Sequence, residues 1–315
     1  MELVIWQDRL AESQLVSYNI MGITNMAINK QIADFLNDLE NKRRRSSRTA
    51  RNYDFYLQRF LSWLKERGVD SPEEITNELI NDYVRWLKMI KSSIKKTKLK
   101  DNTRNYHLIA LRSFLKYLVK KKINSLPPNK VRLVAFHGAR PIFLEKNELE
   151  KLLEAPFKTN QEKILQLRDR TILELILCAG LKVSEMAALK RNDVNLKKER
   201  FVLNNKTKRI VFLSNQARYW LRQYLTARQD KNNFLFIGHD RAFLAREKTG
   251  LTPRSIERTV EKYRQFSGVN KKITPQILRH SFAMNLARGG ETAETMKNKL
   301  GHLSLGSSLR YLDSK

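Results

Sequence analysis

The chain has 315 residues, 41% hydrophobic and 30% charged, enough apolar material for two domains of ordinary size and too much for a disordered polyelectrolyte. Its 61 Lys and Arg against 32 Asp and Glu give a formal net charge of +29, spread over both halves of the chain; this points to a nucleic-acid partner, DNA or RNA, gripped from two sides. No apolar run approaches the ~18 residues of a membrane span, the N-terminus lacks a secretory pattern, and the single cysteine, Cys178, excludes an internal disulfide, so a cytosolic protein without a membrane partner is expected.

Residues 1–26 are weakly patterned and read as an arm or short helix. From Ala27 to Glu40 the apolar residues Ile28, Ile32, Phe35, Leu36 and Leu39 recur at helical spacing and run into the basic cluster Lys42, Arg43, Arg44 and Arg45, with Arg48 just beyond. The next helix carries Tyr53, Tyr56, Leu57, Phe60, Leu61 and Leu64 on one face and stops near Gly68. Thr76 to Ile90 and Thr103 to Val119 give two more, so residues 27–122 read as a four-helix domain. Residues 123–142, with Pro127, Pro128 and Pro141, lose the periodicity and read as a linker. Lys120, Lys121 and Lys122 lead into it, either as a solvated surface or along a phosphate backbone.

The second domain, 143–315, opens with a helix to about Glu154 and a longer one from Leu167 to Ala179, stopped by Gly180, with a helical turn at Val183 to Leu189. Phe201-Val-Leu203 and Arg209-Ile-Val-Phe-Leu213 flank a polar turn and read as a β-hairpin. Helices return at about Asn215 to Arg228, then behind Thr252-Pro253 and Thr274-Pro275, where a capping threonine precedes a proline at the first helical position. The last of these stops at Gly289-Gly290.

Four motifs in this domain stand in an order that carries chemistry. Gly180-Leu-Lys-Val-Ser-Glu-Met186 comes first, then the hairpin with Lys206 and Lys208, then Thr274-Pro-Gln-Ile-Leu-Arg-His280, and last Leu300-Gly-His302 with Tyr311 nine residues on. Together they resemble the tyrosine recombinases, with bacterial Xer proteins and phage integrases closest in style. The resemblance covers most of the chain, because the four N-terminal helices look like that family's SAM-like core-binding domain. It implies a mainly α fold with a small β-sheet, in which a core-binding domain and an α+β catalytic domain form a C-shaped clamp on DNA.

Displacement at a phosphodiester needs a nucleophile, positive charge or donors on the non-bridging oxygens, and a proton for the departing 5′ oxygen. By the resemblance Tyr311 is the nucleophile; a phenol loses its proton near pH ~10 and needs help. Arg279 brings a planar fork suited to two phosphate oxygens. His302 can donate to phosphate or accept the tyrosine proton. Lys206, or Lys208 as the alternative, falls where the family carries a general acid, in a hairpin shorter than the usual one. Glu185 is expected to anchor the phosphate clamp, and His280 to make a supporting hydrogen bond.

Two positions depart from the family. Lys182 stands where arginine is usual, so a mobile ammonium replaces the fixed fork. Gln276 stands where histidine or lysine is usual, and its amide can donate but cannot exchange a proton. The resemblance further implies double-stranded DNA with paired inverted half-sites, a homotetramer, a 3′-phosphotyrosine, a Holliday junction and no metal or nucleotide cofactor. Arg43, Arg44, Arg45, Arg48 and Lys120 to Lys122 are the expected DNA-binding cations.

Overall fold

The computed structural model describes residues 27–41, 47–91, 97–135, 141–204, 208–240 and 249–314. The chain divides into two compact units, Met1–Gly138 and Ala139–Lys315. Among the described residues no helix is long and apolar enough to cross a membrane.

The first unit is helical: α1 (Ala27–Asn41), α2 (Ser47–Lys65), α3 (Asn77–Met89) and α4 (Asp101–Lys120). Each presents an apolar stripe at helical spacing, Ile28, Ile32, Phe35 and Leu39 from α1 meeting Leu57, Phe60, Leu61 and Leu64 from α2 and Leu111, Phe114, Leu115 and Leu118 from α4 in one core. α3 starts where its capping side chain dictates, the Thr76 hydroxyl accepting from Leu79 N–H. Its Tyr83 ring packs edge-on against Phe60, centroids 4.8 Å apart, so aromatic burial joins α3 to α2. The stretch 123–135, expected as linker, lies on this core instead. Val131 is fully buried, Ile123 and Leu126 pack beside it, and Arg112 Nε donates to the Val131 carbonyl over 3.1 Å. Its apolar residues are too widely spaced to read as an element, yet they find the same core.

His107 is buried in this unit as a neutral imidazole: Nδ1 lies 2.9 Å from the Thr103 carbonyl and Nε2 lies 3.1 Å from Arg59 Nη1. Burial, with Arg59 beside it, pushes its pKa down to about 3. The unfolded imidazole takes up its proton near pH ~6.5, so this group's contribution to stability is complete above that value and declines as pH falls toward 3. Thermal melts at pH 7.5 and 5 should therefore show wild-type protein losing stability on acidification, and His107→Gln, which keeps an acceptor for Arg59 but does not titrate, losing less.

The second unit comprises α5 (Lys146–Glu154), α6 (Lys163–Ala179), α7 (Val183–Ala188), the strands β1 (Arg200–Leu203) and β2 (Arg209–Phe212), α8 (Asn215–Ala227), α9 (Pro253–Ser267), α10 (Pro275–Arg288), α11 (Ala293–Leu300) and α12 (Gly306–Leu312). α6 is buried on most of its surface, with Ile172, Leu173, Leu175 and Ile176 fully covered, and it packs against α8 on one side and α10 on another. Its polar residues are paired as burial requires: Asp169 takes Arg168 at 2.7 Å and the Tyr263 hydroxyl at 2.7 Å. The strands pair antiparallel with Val202 opposite Ile210 and Leu203 opposite Arg209. Alternation turns Phe201, Leu203, Arg209 and Val211 inward. A smaller apolar cluster, Ala283, Met284, Ala287, Met296, Leu300 and Tyr311, joins α10, α11 and α12.

Candidate active site

α10 begins as the Thr-Pro pair dictates, with the Thr274 hydroxyl accepting from Ile277 N–H and Pro275 in the first turn. This phase turns Arg279 into the unit and leaves Gln276 exposed. Arg279 is 4% exposed, and its guanidinium donates to the Gly180 carbonyl at the end of α6 and, over 2.5 Å, to the Leu300 carbonyl at the end of α11. It therefore clips together two helix C-termini whose last carbonyls would otherwise lack donors. Burial, then the neighbouring Arg209, lowers its pKa to about 10, which leaves it charged at neutral pH.

Gly180 makes this arrangement possible. It ends α6 in the left-handed conformation, φ +55°, and a Cβ there would fall 2.5 Å from the Phe282 ring. Gly301 ends α11 in the same way, at φ 64°, and turns the chain so that His302 follows. The His302 ring lies parallel to that of Tyr311, 10° between planes with centroids 6.3 Å apart, and its Nδ1 is 2.8 Å from the Ser308 hydroxyl. Burial, then the nearby Arg279 and Arg310, holds His302 down to about 4.

Tyr311, on α12, is 1% exposed. Its ring seats in the apolar cluster while its hydroxyl meets polar groups: His280 Nδ1 at 2.5 Å and Arg310 Nη2 at 2.7 Å. His280, one residue after Arg279, is also held down to about 4, by burial first and then by Arg310 and Arg279, so it is neutral at pH 7 and able to accept a proton from the phenol. Gln276, one turn earlier, has its amide nitrogen 3.5 Å from the other ring nitrogen of His280. It stands behind the histidine and reaches the tyrosine only through it.

Lys182 is the N-cap of α7, and its backbone N–H donates to Glu185 at 2.9 Å. Its ammonium lies 3.4 Å from the Gly301 carbonyl and 3.9 Å from Glu185, and the side chain is 43% exposed. Partial burial lowers its pKa, Arg279 and Arg209 adding to the effect and Glu185 opposing it. The short ion pair of Glu185 goes elsewhere: Arg209 Nη2 donates to it over 2.6 Å, both side chains buried, and Arg209 Nη1 donates to the Lys299 carbonyl over 2.6 Å. Arg209 thereby ties β2 to α7 and α11 at the edge of the site.

Tyr311, Arg279, His302, His280, Lys182, Glu185 and, through His280, Gln276 thus come together. Lys208 is exposed just before β2. Lys206 lies outside the described residues, as do Arg43, Arg44 and Arg45. Arg48 is in the first turn of α2, and Lys120, Lys121 and Lys122 are exposed at and just beyond the end of α4 in the first unit. Sequence reasoning did not single out Arg209 or Arg310. The strand pattern carried a signal for Arg209, which shares the inward parity of Val211 and Leu213; no spacing rule marks Arg310.

Residues 142–315 match the model of the phage integrase family, and residues 32–122 that of the phage integrase N-terminal SAM-like domain. A tyrosine recombinase XerC of Thermodesulfovibrio yellowstonii is 33% identical, the match covering 89% of this chain and 90% of the relative. A tyrosine recombinase XerD of Chlorobaculum tepidum is 29% identical over 90% and 91%. Among solved structures, a Tn1549 transposon integrase bound to circular intermediate DNA shares the fold with a TM-score of 0.68 at 15% identity, covering 91% of this chain and 95% of its own. With a catalytic-domain match over more than half its length and full-length relatives of this kind, the chain belongs to the phage integrase family of tyrosine recombinases, enzymes of site-specific DNA recombination.

Proposed function

We propose that this protein cuts and rejoins DNA through a 3′-phosphotyrosine on Tyr311, pairing two duplexes with inverted half-sites in a homotetramer and exchanging strands through a Holliday junction. The observation that carries this reading is the setting of the Tyr311 hydroxyl, 2.5 Å from a neutral imidazole and beside the buried Arg279 fork and His302. Arg279 and His302 bind the phosphate, Lys182 adds its charge, and Lys206 or Lys208 protonates the 5′ oxygen. Glu185 acts through Arg209 and the α7 N-terminus, and Gln276 stands behind His280. Arg43, Arg44, Arg45, Arg48 and Lys120 to Lys122 contribute phosphate contacts from the other unit.

A second reading follows from Lys182: a homologue that occupies its site without cutting. A nicked duplex carrying the site distinguishes the two, since a cutting enzyme is trapped as a covalent adduct on a denaturing gel and a silent binder is not. Lys182 is exposed and loosely held, so it supplies charge without the bidentate geometry of arginine. Lys182→Arg should therefore raise the single-turnover rate of adduct formation by about 10- to 100-fold. An unchanged rate would remove the claim that Lys182 slows the chemistry.

A further inference from the structure

Arg310 reaches the reacting atom of the site. Its Nη2 donates to the Tyr311 oxygen over 2.7 Å, and its guanidinium carbon stands 4.8 Å from the centre of the Tyr311 ring. Neighbouring residues on a helix point ~100° apart, so this contact exists only because the Arg310 side chain folds back over the ring. Arg310 is otherwise exposed, so the hydrogen bond and the ring contact are what hold its side chain in this rotamer against the freedom of a surface arginine. The other cations near the site are engaged elsewhere: Arg279 with the Gly180 and Leu300 carbonyls, Arg209 with Glu185 and the Lys299 carbonyl, and Lys182 with Gly301 and Glu185. Among the described residues Arg310 has no carboxylate partner.

We propose that Arg310 is a further catalytic residue of strand cleavage, donating to the Tyr311 oxygen and holding its charge as the proton leaves. The proposal rests on the reading of Tyr311 as nucleophile. At rest the phenol donates to His280 Nδ1, in the tautomer whose proton is on Nε2, and Arg310 donates to a neutral oxygen. As attack begins the proton passes to His280 Nδ1, and an electron pair of the phenolic oxygen forms the bond to phosphorus. The bond from phosphorus to the 5′ oxygen breaks with its electron pair on that oxygen, which takes a proton from the hairpin lysine. Negative charge rests on the phenolic oxygen only between the first and the second of these events. The Arg310 hydrogen bond is charge-assisted during that interval, and an interaction stronger there than in the ground state accelerates the step. It also places a guanidinium on the nucleophile's side of a site whose usual arginine is replaced by Lys182.

The test compares wild type, Arg310→Ala and Arg310→Lys on the nicked duplex, reading single-turnover adduct formation and duplex affinity in parallel. Arg310→Ala should slow adduct formation about 10²-fold with affinity unchanged, and Arg310→Lys should fall between it and wild type. Millimolar guanidinium chloride should restore part of the alanine variant's rate where sodium chloride of equal ionic strength does not. A wild-type rate for Arg310→Ala overturns the proposal, as does a loss matched in affinity or unmoved by guanidinium. If wild-type protein itself forms no adduct, the reading of Tyr311 falls as well; an adduct that forms equally fast without Arg310 sinks this proposal alone.

Discussion

Tyr311→Phe should bind its duplex with unchanged affinity and form no covalent adduct on a nicked substrate. Phenylalanine keeps the ring that fills the cluster of Ala283, Met284, Ala287, Met296 and Leu300 and lies parallel to His302. Only the oxygen is lost, and with it the partner of His280 Nδ1 and Arg310 Nη2. The exposed Arg310 regains water, and leaving the half-buried His280 unpaired costs about 1–3 kcal/mol, too little to unfold a domain with a core of this extent. The comparison therefore isolates chemistry from folding: a gel-shift titration reads binding, a denaturing gel reads the adduct, and a melt reads the fold. A residual adduct would mean that another side chain attacks, and the cluster around Tyr311 would need a different explanation.

Arg279→Lys is the second large effect, an expected fall of about 10²- to 10³-fold in single-turnover cleavage. The guanidinium has two of its donors on the Gly180 and Leu300 carbonyls and can still offer others to a phosphate, which one ammonium cannot do. Arg279→Ala should add a structural penalty, because both carbonyls lose their donor, about 1–3 kcal/mol per unsatisfied group. A lower melting temperature for the alanine variant than for the lysine variant, with both nearly inactive, is the expected pattern. Near wild-type cleavage by Arg279→Lys would exclude the fork from the transition state.

Much of this fold was legible because its signals are local. Thr76, Thr252 and Thr274 cap the helices their positions announce, Gly180 ends α6, and apolar spacing alone reveals α1 to α4. The packed stretch 123–135 was not legible, since Val131 is buried by tertiary contacts and belongs to no periodic pattern. No boundaries could be set beyond Gly290, where α11 and α12 are short and held by the apolar cluster they share with α10. The motifs singled out Tyr311, Arg279, His302, Lys182 and Glu185, which the fold brings to one place. The pairing of Glu185 with Arg209, and of Tyr311 with His280 and Arg310, depends on distances across the fold that no spacing along the chain encodes.

The backbone at Gly180 has one more consequence. Its carbonyl takes the Arg279 guanidinium, its φ lies where side chains are strained, and the Phe282 ring occupies the volume that any Cβ would need. Substitution there displaces the end of α6, the Phe282 ring, or both, and the Arg279 guanidinium moves with them. A map of tolerated substitutions would thus group a glycine without a side chain among the catalytic residues. Mutational intolerance at this site marks the residues that hold Arg279 in place as strictly as Arg279 itself.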